Sequence, residues 1–405
     1  MATTTDSTKR AANAGSTHDR AGMLERPLSR VLRPDVEGTR LRGRPDLYTA
    51  YKQDMALLNT PTKRNATILL LVAVTWGAFV LPTNMVALLA TGMALAIGGI
   101  GLNLVTGYAG QVSLGHAFFV GIGVYTAAII SGDPEGRVLG YGVSFVPLWL
   151  FAAGVVAAVF GGLVAPLALR LKGLYLAIVT LGLVFLGDHI FREATTLTGG
   201  FGVGRNGPVY SFGFGDFDVD GEVFGVFMKR EQRIYLLILG VLVFLGVLAR
   251  NIARSDLGRA FSAIRDRDIA AEVIGVDLTR GKVLAFVISS FYAGVCGALL
   301  FSVADFVDPS SLSLLLSVRF LVIILVGGIA TISGSIMGAM FIATLPRISF
   351  ELASRMPEAL GLNESIVEGV LSGLLIIVFL IVEPRGLFGL WLRIRNYWKA
   401  WPFSY

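Results

Sequence analysis

Of the chain's 405 residues, 54% are hydrophobic and only 15% charged, with a mean hydropathy of +0.71. Soluble domains carry roughly 25% charged residues and tolerate few large apolar patches. A water-soluble enzyme is therefore set aside for an all-α, polytopic membrane helix bundle. The 34 Lys and Arg exceed the 28 Asp and Glu by a net +6, which in a membrane protein reports topology before it suggests nucleic acid. Forty-nine glycines suit helices that pack through small residues. The single cysteine, Cys296, precludes an intrachain disulfide, and three histidines leave little material for a metal site.

Residues 1–65 form a basic, soluble-looking tail with Arg20, Arg26, Arg30, Arg33, Arg40, Arg42 and Arg44. No continuous apolar run precedes residue 66, so a cleaved secretory signal is not expected. Most of the tail reads as disordered. Leu47, Tyr51, Met55 and Leu58 share one helical face, which lies either on a membrane surface or against the protein's own cytoplasmic side.

The transmembrane domain is expected over 66–386, since a span needs about 20 predominantly apolar residues. Hydropathy places spans near 66–82, 84–106, 112–131, 144–170, 173–191, 233–250, 282–303 and 364–383. The stretch 317–345 reads as a broken, re-entrant hairpin, because Gly327-Gly328-Ile329-Ala330-Thr331-Ile332-Ser333-Gly334 supplies the glycines for a break. With the basic tail inside, Arg170, Lys172 and the segment from Arg250 to Lys282 also fall inside, and the loops 132–143 and 192–232 fall outside. Both termini are then cytoplasmic. Residues 387–405, with Trp391, Tyr397, Trp398 and Trp401 beside basic residues, read as an interfacial cytoplasmic tail.

Two segments carry candidate function. In Gly101–His116, Asn103, Gly107, Gly110, Gln111, Ser113 and His116 sit between apolar runs. Polar groups there must face protein or water, so they either line a pathway near the midplane or tie helices together. The segment loosely resembles 327–343, where Gly328, Ser333 and Gly334 stand; paired glycine-broken segments are expected of pseudo-symmetric transporter repeats. The second segment, Arg254–Lys282, is too polar to span. Leu257, Phe261, Ile264 and Ala271 share a helical face while Arg259, Arg265, Asp266 and Arg267 lie elsewhere, and Gly275 offers a stop. This amphipathic helix either docks on a partner or lies on the surface.

In the outer loop, Asp216-Phe217-Asp218-Val219-Asp220-Gly221 opens like a calcium loop but has Phe227 where the twelfth-position Glu belongs. A hairpin turning at Asp220-Gly221 is expected instead. The chain contains no G-x-x-x-x-G-K-[S/T], H-E-x-x-H or G-x-S-x-G. Asp188 and His189 are neighbours, so their side chains diverge on a helix, and an interfacial cap is expected rather than an acid–base pair.

Three stretches, Gly101–Ile130, Gly173–Leu183 and Arg254–Leu300, carry a resemblance. The last holds Gly258-Arg259-Ala260, Ala263-Ile264-Arg265-Asp266, Ile269-Ala270-Ala271-Glu272 and Gly275-Val276-Asp277. Over roughly 66–390 the sequence resembles the larger membrane permease subunit of branched-chain amino acid ABC importers. The resemblance implies a translocation path shared with a paralogous permease, two cytoplasmic ATPases that consume the ATP, and an external binding protein. It implies no cofactor on this chain and no nucleic-acid partner. It also implies that Ala271, Glu272 and Gly275 belong to the ATPase-coupling loop, with Gly258, Ile264, Arg265 and Asp266 in the same segment. The alternatives are a urea or short-chain amide importer, or, from another class, an ion-gradient-driven secondary transporter. The Gly-rich Phe201–Gly204 stretch departs from the family's usual outer loop.

Overall fold

The computed structural model describes residues 61–134, 138–171, 173–206, 221–223, 226–304, 306–353, 364–383 and 386–400. The expected stripe Leu47–Leu58 and the Asp216–Asp220 run lie outside them. The chain falls into two units, Met1–Leu70 and Leu71–Tyr405; of the first, the described residues 61–70 are helical.

Helices dominate: α1 Pro61–Val80, α2 Thr83–Leu102, α3 His116–Ser131, α4 Val146–Arg170, α5 Leu174–Glu193 and α6 Arg230–Arg254. They are followed by α7 Asp256–Val273, α8 Leu278–Ala304, α9 Leu314–Gly327, α10 Ile332–Ala353, α11 Glu364–Val382 and α12 Gly386–Ala400. A π-helical turn, Asn103–Tyr108, extends α2 without interruption. Among the described residues, six helices are long and apolar enough to cross a bilayer, and four shorter apolar ones accompany them. Their outer faces expose Leu163, Leu174, Phe244 and Leu315, as a lipid-facing surface requires.

The core helix is α8. It packs against α4, α3 and α2 and is buried almost all round from Ser289 to Leu299, the pattern of a helix enclosed by others. Lipid gives no hydrophobic drive between helices, so close backbone approach must supply the adhesion. A Cβ on Gly297 would strike the Val120 carbonyl, and one on Gly294 the Ala153 carbonyl. The Tyr292 hydroxyl donates to the Leu245 carbonyl at 2.8 Å, joining α8 to α6. The Tyr235 hydroxyl donates to the Val74 carbonyl at 2.9 Å, joining α6 to α1.

The hydropathy reading needs three corrections. The span expected at 112–131 becomes helical only at His116, because 109–115 is irregular backbone. The amphipathic helix is not continuous: Arg267 adopts φ −157°, ψ 100° and breaks α7 in two. A hairpin does form, with β2 Gly221–Val223 against β3 Val226–Met228. Its register pairs Val223 with Val226, so the reversal falls between these residues rather than at Asp220-Gly221.

The end of the bundle remote from α7 is closed by a second small ribbon, β1 Arg205–Asn206 with β4 Phe306–Val307. Arg205, 7% exposed, donates to the carbonyls of Leu197, Ala128 and Leu139 at 2.6–2.8 Å. Asp308 accepts from the Gly202 N–H at 2.8 Å. Asp188 pairs with Arg192 at 2.9–3.0 Å, not with His189.

Adding a β-branched side chain where α8 meets α3 should overpack the bundle. Gly297→Val is expected to cost about 1–3 kcal/mol and to lower the melting temperature of the detergent-solubilised protein. Gly182→Val, at a site open around its Cβ, is the control expected to change it little.

Candidate functional site

The two glycine-broken segments meet. Asn103, fully buried, sits on the π-turn and faces the break between α9 and α10. Its Nδ2 donates to the Thr331 carbonyl at 2.9 Å and to Ser335 Oγ at 2.8 Å. Its Oδ1 accepts from the Ala330 N–H at 2.8 Å. One carboxamide thus satisfies the backbone freed by a re-entrant turn, which hydrocarbon would otherwise forbid. The turn needs such support, since Ala330 is the one non-glycine residue with positive φ, 58°, among the described residues. Gly328 makes the turn at φ 119°.

The antiparallel return of α10 on α9 depends on Gly334 and Gly338, where a Cβ would strike the backbone of Gly327. Gly386, at the start of α12, packs on Gly327 and Gly328. Glu383 just before it accepts both Arg393 contacts at 2.8 Å.

The irregular stretch 109–115 is held from two other helices. The Leu114 N–H donates to Thr180 Oγ1 of α5 at 3.0 Å. The Ala117 N–H, one of the orphan donors at the start of α3, donates to Ser317 Oγ of α9 at 2.9 Å. Ser113 Oγ accepts locally from the Gly115 N–H at 3.4 Å. The His116 ring meets Phe320 edge-on at 4.8 Å, and its Nε2 is buried without a hydrogen-bond partner among the described residues. Ser333 is exposed; the serine that bonds Asn103 is Ser335, two positions on.

The break also touches α7. Arg265 Nη1 donates to the Gly107 carbonyl at 3.0 Å, and its side chain lies on Gly110, which turns at φ +70°. This end of the break therefore abuts the amphipathic segment, because α2 and its π-turn run unbroken through Tyr108. Gly258, Phe261, Ile264 and Ala271 are buried, while Leu257 of the expected face is 38% exposed. Asp266 pairs with Arg265 at 3.1 Å; Glu272 and Gly275 are exposed, the latter at φ +90°.

Sequence periodicity missed a second apolar set after the kink. Ile269, Val273 and Ile274 are 73%, 83% and 76% exposed. Their 269/273/274 spacing is the signal that was there to be read.

Between α7 and the bundle lies a cavity of about 200 Å³. Gln111, Lys282, Arg265 and Asp266 line it over a floor that includes Leu171 and Leu176. Gln111 is 5% exposed, and neither its Nε2 nor its Oε1 has a hydrogen-bond partner among the described residues.

Residues 84–380 match the family model described as branched-chain amino acid transport system, permease component. The chain belongs to this permease family. It is 33% identical over 334 residues to the high-affinity branched-chain amino acid transport system permease protein LivM of Salmonella typhimurium, across 79% of this chain and 73% of that protein. The Escherichia coli LivM is 32% identical over the same shares. The Escherichia coli permease LivH is 25% identical over 74% of this chain and 92% of its own length. No solved structure matches the chain.

An interhelical side-chain hydrogen bond in a membrane protein averages only ~0.6 kcal/mol, but Asn103→Leu takes the partner from the Ala330 N–H, while the Thr331 carbonyl keeps the Ser335 N–H and Oγ. The expected loss is about 1–3 kcal/mol, the cost of one such group left unpaired. Thermal unfolding in detergent reads the loss. Labelling of a Cys introduced at Ala330 should quicken in the Asn103→Leu background.

Proposed function

We propose that this chain is one permease subunit of an ATP-driven importer and shares with a paralogous permease the path for branched-chain amino acids. Membership of the permease family and the likeness to LivM and LivH support that substrate class. Two cytoplasmic ATPases bind and hydrolyse ATP, which agrees with the lack of a phosphate-cradling G-x-x-x-x-G-K-[S/T] in the sequence. An extracytoplasmic binding protein delivers solute, and this chain holds no cofactor. The protein resides in the inner membrane with both termini cytoplasmic. The basic ends of α4 and α6, at Arg170 and Arg254, then face the cytoplasm.

The observation that carries the reading is the exposed patch Ile269, Val273 and Ile274 beside Glu272, on a segment whose other side is buried through Phe261, Ile264 and Ala271. An apolar cluster with a single charge at its centre, outside every span, suits a groove on an ATPase. Force applied there has a route inward. Arg265 grips the Gly107 carbonyl, and Asn103 on the same turn grips the α9–α10 break. ATPase closure tilts α7 and shifts both broken segments together, so Asn103, Gly107, Gly110, Gln111, Ser113, His116, Gly328, Ser333 and Gly334 respond as the path opens to alternate sides. Coupling requires the ATPase to hold α7 differently in its two states, because a contact equal in both shifts nothing.

Glu272→Lys should reduce co-purification of the ATPase with the permease pair about tenfold or more while leaving membrane insertion intact. Val273→Asp should do the same. Undiminished co-purification with both variants would refute the docking assignment.

A further inference from the structure

The cavity under α7 has a chemistry that the coupling role leaves unused. Gln111 is a buried carboxamide, offering one donor group and one acceptor, and both are unpartnered among the described residues. Native interiors leave few such groups, because each costs the full desolvation of its dipole. The amide lines a space whose wall also carries Lys282, 6% exposed, and Arg265 and Arg267. Asp266 and Asp268 complete that wall. A simple anion would sit against the two carboxylates, and a simple cation against the three basic groups. Arg265 and Asp266 already pair with each other, so a zwitterion, itself neutral, joins such a wall without adding net charge, and its two ends match the donor and acceptor of Gln111.

The floor of Leu171 and Leu176 is apolar, so the group carried between the two charges should be aliphatic. At about 200 Å³ the space is smaller than the ~300–1,000 Å³ of drug-sized sites, which suits one small metabolite rather than a nucleotide. We propose that this cavity binds a free aliphatic L-amino acid on the ATPase side, and that occupancy braces α7 against the bundle and slows import. The bracing follows from the lining, since Ile264 to Asp268 belong to α7 and Gln111, Leu171 and Lys282 do not. The α7 kink at Arg267 lies within that lining, so an occupant bridges the two halves of α7 and the bundle. The regulatory half of this inference rests on α7 being the ATPase-docking segment; the binding half does not.

The two halves are tested separately. Equilibrium dialysis of radiolabelled L-leucine against the purified permease pair, without ATPases, should show saturable binding. Isovalerate and isopentylamine, each lacking one charge, should compete at least about tenfold more weakly than L-leucine, and inorganic phosphate likewise. Gln111→Leu should weaken binding at least about tenfold without lowering the melting temperature, since it removes an unsatisfied amide. Lys282→Met should weaken it as well. Absence of saturable binding, equal competition by phosphate, or unchanged affinity in both variants overturns the site.

Transport is then read in proteoliposomes of the full importer with ATP enclosed on the ATPase side. Co-enclosed L-leucine should cut the initial uptake rate at least about threefold. The ratio of loaded to unloaded rates should return toward unity in Gln111→Leu. Binding without any change in that ratio overturns the brake. Loss of uptake in unloaded vesicles, with binding intact, would instead count against the importer reading.

Discussion

Every feature of this permease follows from one constraint: irregular backbone inside an apolar bundle must find its hydrogen bonds within the protein. The chain breaks its helices in two places, at 109–115 and at Gly328–Thr331, and the two breaks are met by side chains from other helices. Asn103 serves the second break with both ends of its carboxamide. Thr180 and Ser317 serve the first. The second break is thereby tied to the π-turn that leads into the first, and the first is tied to α5 and α9.

The π-turn reaches the outside of the bundle through Arg265. A guanidinium has five donors in a rigid fork, and here it holds the Gly107 carbonyl while pairing with Asp266. The surrounding glycines matter sterically. Gly110 lies under the Arg265 side chain, and Gly258 lets the chain turn from α6 into α7 where a Cβ would strike the Ala253 carbonyl. α7 thus has an inner face fixed by packing and an outer face left apolar and exposed. The opposite end is built differently. There Arg205 gathers three carbonyls from separate segments, which fixes the loops over α3 and α5 into a rigid cap. A cap tied by backbone bonds at one end and a kinked segment at the other suit the proposed drive from one side.

Under the proposed ATP-driven reading, the path needs no buried acids to carry protons or ions. The polar side chains of the candidate path residues are amides, hydroxyls and one imidazole. Gln111 and His116 Nε2 are the uncommitted ones among those named.

The sequence alone determined the class, the approximate positions of most apolar helices and the existence of both breaks, because hydropathy and glycine content act over a few neighbouring residues. It also determined the buried face of α7, since Phe261, Ile264 and Ala271 follow a helical period. The tertiary structure alone decided that the π-turn before the first break binds the second, because Asn103 and Ala330 are 227 positions apart and no local pattern reports such a pairing. It also decided that Ser335, not Ser333, takes the Asn103 bond, and that α7 kinks at Arg267. Those outcomes depend on which face of a helix meets its neighbour, a matter of one residue's rotation that composition and periodicity leave undetermined.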